Sequence, residues 1–296
     1  MITALRTHEL GKRYGHSPAL TDCSLTIPAG NVVGLVGPNG AGKTTLLNLA
    51  AGMLEPTSGT IEVLGAKPGS GSAQVAKVGY VAQDTPTYAG LSIADHLRLG
   101  SRLNPKWDAT LARDRIKGLS LDPARKAGKL SGGQRAQLAL TLAMAKKPEL
   151  LILDEPIASL DPLARREFLD SLGEFANTHQ VSVVMSSHLV GDLERVCDYI
   201  IVLVASRVQL AGEVQQVIAS HSELTGVPAG PANLPAGAQL ILDSKAGGRR
   251  TLLVRTDGPV SDPAWTGTHV DLEEIVLAYM SRAERSSQAT KLEAQR

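Results

Sequence analysis

A chain of 296 residues with 43% hydrophobic and 20% charged residues can bury a substantial core, and at roughly 150 residues per domain it holds two domains or one large domain with an appendage. Lys+Arg 30 against Asp+Glu 29 leaves a net charge of +1, which excludes a general basic field for gripping a phosphate backbone and, with that composition, excludes disorder over most of the chain. The two cysteines, Cys23 and Cys197, lie far apart and outside any C-x-x-C pattern, which excludes a disulfide framework and a zinc site and fits a reducing cytosol.

At the N-terminus, Arg6, His8 and Glu9 interrupt the apolar residues, so no secretory signal is expected. Residues 2–212 then alternate short apolar runs with helical stretches, the pattern of an α/β domain with a largely parallel sheet. Buried strands are expected at 32–36, 78–82, 150–153, 181–186 and 200–204, each bounded by Gly, Pro or charge. Between them, residues 91–147 read as mostly helical, with Leu138, Leu142 and Ala145 at helical spacing. The expected organisation is a nucleotide-binding domain over 1–220 with a helical subdomain inserted at about 85–147.

Pro and Gly concentrate in 226–237, and a linker is expected over 221–237. A small α+β accessory unit, 238–285, follows, with strands at 239–242 and 251–255 joined as a hairpin. Asp271 and Glu274 form a capping box, Val270 and Ile275 a hydrophobic staple, and Leu272, Ile275, Val276, Tyr279 and Met280 an apolar stripe assigned to core. The polar tail 286–296 is expected to be disordered. No run approaches the roughly 18 apolar residues of a membrane helix, so a membrane role would come through a partner.

The strongest local signal is Gly37-Pro38-Asn39-Gly40-Ala41-Gly42-Lys43-Thr44, a complete G-x-x-x-x-G-K-[ST] loop after a strand and before a helix. Its glycines let consecutive N–H groups face phosphate oxygens at a helix N-terminus, Lys43 can reach the β- and γ-phosphates, and the Thr44 hydroxyl can ligate Mg²⁺. Downstream, Asp154-Glu155 follows the apolar run 150–153. Two carboxylates at a strand end need a cation: Asp154 is suited to Mg²⁺, leaving Glu155 to orient or deprotonate an attacking water. Leu130-Ser131-Gly132-Gly133-Gln134 is a second anion-binding helix start.

With this pentapeptide the chain resembles the ATP-binding cassette ATPases over about residues 5–212. The resemblance implies a P-loop NTPase cassette with an inserted helical subdomain, in which two cassettes pack head to tail around ATP and Mg²⁺. It implies that Tyr14 stacks on adenine, and that Gly37, Asn39, Gly40, Ala41, Gly42, Lys43, Thr44 and Thr45 hold the nucleotide. Ser131, Gly133 and Asp161, the last in Ser159-Leu160-Asp161, would face the interface with a second cassette. Thr44, Gln83 and Asp154 would hold the metal, and Glu155, His188, Gln83 and Lys43 would carry catalysis. Two departures, Ile157 where Thr is common and Ala136-Gln137 in place of an Arg-rich run, bear on partner fit.

The resemblance further implies an ATPase subunit at the cytoplasmic face of the membrane, forming an ATP-dependent dimer on a separately encoded transmembrane permease. The ending 271–279 resembles exporter ATPases that serve drug or lipid permeases; an import ATPase shares every catalytic residue. A cassette ATPase acting on nucleic acid or ribosomes is the rival from another class, opposed by the single cassette, the absence of sustained heptads and the lack of Cys clusters. No direct nucleic-acid partner is expected. Permease docking is expected along 84–99, through Pro86, Tyr88, Leu91 and Ile93.

Overall fold

In the computed structural model, residues 2–85, 87–158, 160–226, 238–246, 249–256, 258 and 265–294 are described, with side chains only to 285 in the last segment. The antiparallel strands β1 (Thr3–Tyr14) and β2 (Ser17–Pro28) form a hairpin. Then come β3 (Val32–Val36), α1 (Lys43–Ala50), β4 (Ser58–Val63), α2 (Ser72–Ala76) and β5 (Val78–Val81). The helices α3 (Ile93–Leu103), α4 (Ala109–Gly118) and α5 (Gly132–Ala145) precede β6 (Leu150–Leu153), α6 (Pro162–His179) and β7 (Ser182–Ser187). The cassette closes with α7 (Val190–Leu193), β8 (Tyr199–Val204), β9 (Arg207–Glu213) and α8 (Val214–Ala219).

The central six-stranded sheet has the order β5-β6-β7-β3-β8-β9, parallel except for β9. Its strands read as unbroken apolar runs because both faces are covered: every residue of β3 and β6 is buried. A separate three-stranded sheet, β2-β1-β4, packs its apolar residues with α1 on one face. On the other, α5 and α6 complete a larger cluster around Phe168, Leu172 and Met185. The helical insert has its own small core of Ile93, Ile116, Leu121, Ala127, Leu130 and Leu138.

Local chemistry fixes where the helices start. Ser92 and Asp95 make a capping box on α3, Asp108 caps α4, Ser131 and Gln134 box α5, and Asp161 caps α6 ahead of Pro162.

The C-terminal unit departs from expectation in three ways. The segment 221–226, assigned to a linker, is the strand β10 (His221–Gly226), which begins directly after α8. It pairs with β12 (Arg249–Arg255) and β13 (Trp265–Thr268), and β11 (Gln239–Ala246) completes the sheet at the edge beyond β12. The Pro- and Gly-rich signal begins only at Gly226, and 227–237 lies outside the described residues. Helix α9 runs from Leu272 to Ala294, through most of the tail expected to be disordered, because 286–294 is rich in helix formers and lacks Gly and Pro. Finally, Leu272, Ile275, Val276 and Tyr279 join the cassette's cluster with Leu193, Cys197 and Ile200, so this unit shares the cassette core.

Candidate active site

In the parallel sheet, adjacent strands deliver their following loops to one edge, where α/β proteins bind ligands. In the order β5, β6, β7, β3 these loops carry Gln83, then Asp154 and Glu155, then His188, then the glycine loop. Residues separated by more than a hundred positions are thereby aligned side by side.

The glycine loop is built by close approach as much as by conformation. A Cβ on Gly37 would lie 2.0 Å from the Leu203 carbonyl oxygen, and one on Gly42 2.3 Å from that of Ala19. Gly40 and Gly42 adopt φ of 80° and 108°, values only glycine takes without strain. The loop therefore hugs β8 on one side and the β1–β2 hairpin on the other. Asn39, Gly40 and Thr44 stay exposed, Ala41 is buried, and Thr45 is half-buried in the first turn of α1. Tyr14, half-exposed at the hairpin tip, has the Lys12 ammonium 5.6 Å from its ring centre.

Lys43 is 6% exposed, and its ammonium donates to Gly37 O at 2.7 Å and Pro38 O at 3.3 Å. It also faces Glu155 Oε1 at 3.3 Å, while Glu155 Oε2 lies 2.8 Å from His188 Nδ1. The Glu155 carboxylate is thus held between a buried cation and a half-exposed imidazole. Its backbone has φ 47°, a left-handed conformation costing a non-glycine residue roughly 1–2 kcal/mol. Strain of that kind concentrates at functional sites.

Asp154, 1% exposed, accepts from Ser186 Oγ at 2.7 Å, and Ser186 Oγ accepts in turn from the Glu155 N–H at 2.8 Å. Sequence reasoning missed Ser186. Its signal is slight: Ser186 and Ser187 break an apolar strand immediately before His188. Thr44, Gln83 and Asp154 line one cavity of about 950 Å³ with Asn48 and Tyr80. Tyr80 donates to Asn48 Oδ1 at 2.8 Å, and burial, with Asp154 and Asp84 nearby, pushes its phenol up to about 12.

A hydroxyl, an amide oxygen and one carboxylate are hard oxygen donors that suit Mg²⁺ shared with phosphate oxygens. Among the described residues no cluster of three His, Cys, Asp or Glu could hold a metal unaided. The buried Asp154, with a single hydroxyl donor, and a loop whose Gly37 and Gly42 have backbone where a Cβ would sit together fit a metal–nucleotide ligand.

Ser131, Gly133 and Asp161 lie elsewhere. Ser131 and Asp161 cap their own helices, and a Cβ on Gly133 would touch Leu160 and Ala164 at 3.6 and 3.7 Å. The two helix starts are neighbours, and among the described residues no hydrogen bond or ion pair links Ser131 or Asp161 to the glycine loop. Ser159 lies outside the described residues. Along 84–99, Tyr88 is 66% exposed and Leu91 half-buried. Ile93, expected at the docking surface, is instead buried in the insert's core, because it opens α3 on the face turned to Ile116 and Leu138. Pro86 lies outside the described residues.

A phosphate loop at a helix start, with a buried acidic strand end beside it on a parallel sheet, is the construction of a P-loop nucleoside triphosphatase. The ABC transporter family model matches residues 20–158. The chain is 34% identical over 219 residues to the uncharacterized ABC transporter ATP-binding protein YxlF of Bacillus subtilis, covering 72% of each. It is 32% identical over 221 residues to the thiamine import ATP-binding protein ThiQ of Shigella flexneri, covering 72% of this chain and 94% of that one. It superposes on cbiO1 from Clostridium perfringens, part of the ABC transporter complex cbiONQ, with a TM-score of 0.65 at 26% identity, over 74% of this chain and 92% of that one. The chain belongs to the ABC transporter ATPases, ATP-hydrolysing cassettes coupled to transport. Among the described residues, no helix is long and apolar enough to cross a membrane.

Proposed function

We propose that this subunit hydrolyses Mg-ATP between two copies of itself and thereby drives a separately encoded permease at the cytoplasmic face of the membrane. The observation that carries this reading is the Glu155 carboxylate, poised between Lys43 and His188 at the head of β6. Gly37 to Thr45 cradle the phosphates and Tyr14 stacks on the base. Thr44, Gln83 and Asp154 would hold the metal, which supplies charge neutralisation at the β- and γ-phosphates. Phosphate oxygens compete for the Lys43 ammonium, and Glu155, oriented by His188, then accepts a proton from the attacking water.

Ser131, Gly133 and Asp161 find no nucleotide within their own cassette, which supports a head-to-tail pair in which they meet the nucleotide of the second copy. Glu155→Gln protein in Mg-ATP is expected to sediment as a dimer, and adding Ser131→Arg, a bulky cation at the exposed helix start, to return it to monomer. One mass in every combination of variant and nucleotide would sink the sandwich.

The exposed Tyr88 supports a permease contact between Gln83 and α3. Tyr88→Asp should leave thermal stability and ATP binding unchanged while abolishing permease co-purification. Retained association would remove Tyr88 from the docking surface. The ending 271–279 supports export; the likeness to ThiQ, named for thiamine import, supports import. Vesicles carrying the co-purified permease decide by the side on which substrate accumulates.

A further inference from the structure

Arg115 sits on α4 in the helical insert, yet its guanidinium crosses to the catalytic core. Nη1 donates to Ser171 Oγ on α6 at 2.6 Å, and Nε and Nη2 approach Thr141 Oγ1 and Gln137 Oε1 on α5 at 3.4 Å each. All three acceptors are neutral, and among the described residues Arg115 makes no ion pair. Burial, the largest influence on it, disfavours its charge, and only the more distant Glu174 opposes this. Arg115 is half-buried, and a partly desolvated charge without a carboxylate partner costs free energy, so packing alone is a poor reason for an arginine here. Gln137 and Thr141 are themselves buried, and Thr141 Oγ1 donates to Gln137 O at 2.7 Å.

The helices it joins carry the two elements assigned to the opposing nucleotide. α5 begins at Ser131 and α6 at Asp161, and their starts already touch where Gly133 meets Leu160 and Ala164. At 1.5 Å per residue, Gln137 and Thr141 lie about 8–14 Å along α5 and Ser171 about 14 Å along α6. The starts and the apolar cluster of Leu140, Phe168 and Leu172 hold the two helices together, but apolar contacts are non-directional and leave their angle to be set by polar ones. A polar contact further along sets that angle, and with it the direction in which Ser131 and the α5 N-terminus point.

We propose that Arg115 is a positioning residue for ATP hydrolysis, fixing α5 against α6 so that the Ser131 end of one cassette meets the nucleotide of the other. The proposal rests on the head-to-tail reading above. It predicts a defect in closure and turnover with the cassette's own phosphate loop untouched.

In full-length protein, Arg115→Ala is expected to lower kcat about tenfold with KM for ATP within about twofold, since small misplacements of a reacting element cost one to two orders of magnitude. In the Glu155→Gln background it should weaken ATP-dependent dimerisation by a similar factor while binding of a fluorescent ATP analogue to the monomer stays unchanged. Arg115→Lys keeps the charge but loses the planar fork and should recover little. Ser171→Ala should act in the same direction and add little to Arg115→Ala. Dimerisation and kcat within twofold of the parent would overturn the proposal. So would a loss of melting temperature, nucleotide binding and turnover together with Ser171→Ala silent, which marks a structural residue. If Glu155→Gln with Arg115 intact never dimerises, the sandwich reading fails first and this proposal with it.

Discussion

Glu155→Gln is expected to lower steady-state ATP hydrolysis by about 100- to 10,000-fold, the range that general base catalysis supplies, while nucleotide affinity stays close to that of the parent. The exchange is nearly isosteric. The amide oxygen can still accept from Lys43, which sits 3.3 Å from the carboxylate, and the amide nitrogen can donate to His188 Nδ1, 2.8 Å from the other oxygen. The Glu155 N–H keeps its bond to Ser186, so Asp154 and its serine remain in place. What disappears is a proton acceptor. Lys43→Ala makes the contrast, because it removes a buried charge from the loop itself and should weaken nucleotide binding as well as turnover. Phosphate release and analogue titration on the two variants check both statements, and ordinary turnover by Glu155→Gln would remove the glutamate from the chemistry.

The central sheet was legible in the sequence because a parallel strand covered on both faces must be apolar throughout, as VVGLV and LLIL are. The β2-β1-β4 sheet carried no comparable signal. Register shifts between Thr7 and Leu10 and between Leu10 and Lys12 break the period-two alternation by which such strands are recognised. β10 was hidden for another reason: only His221 and Leu224 of its six residues are buried, so it reads as loop until its partners β12 and β13 are known. The site divides along the same line. Gly37, Lys43, Asp154 and Ser131 were singled out in the sequence because a proposed phosphate site demands fixed residue types at fixed spacing. Ser186 and Arg115 were not. Their partners lie 32 and 56 residues away, and the pairing exists only once β6 lies beside β7 and α4 reaches α6.

Gly37→Ala is expected to be the most damaging small substitution in the loop that conformation alone would not foresee. Gly37 follows β3, whose last residue, Val36, lies opposite Val202 of β8. The added Cβ would sit 2.0 Å from the Leu203 carbonyl oxygen, and a backbone atom inside a sheet cannot move aside by changing rotamer. Overpacking of a well-filled site costs about 1–3 kcal/mol and occasionally more, and this contact belongs at the upper end. At about 2–4 °C per kcal/mol for a domain of this size, a cost of about 3 kcal/mol lowers the melting temperature by about 6–12 °C. Gly40→Ala is the control. Gly40 has φ 80° but nothing within 4 Å of its missing Cβ, so it meets only the left-handed penalty of roughly 1–2 kcal/mol. Thermal unfolding of the nucleotide-free proteins should therefore rank the parent above Gly40→Ala and Gly40→Ala above Gly37→Ala. Saturating Mg-ATP should widen the gap between parent and Gly40→Ala, since Gly40 shapes the cradle and ligand stabilisation grows with affinity. Equal melting of the two variants would mean that the loop does not press against β8, and the geometry that aligns Lys43 with Glu155 would have to be redrawn.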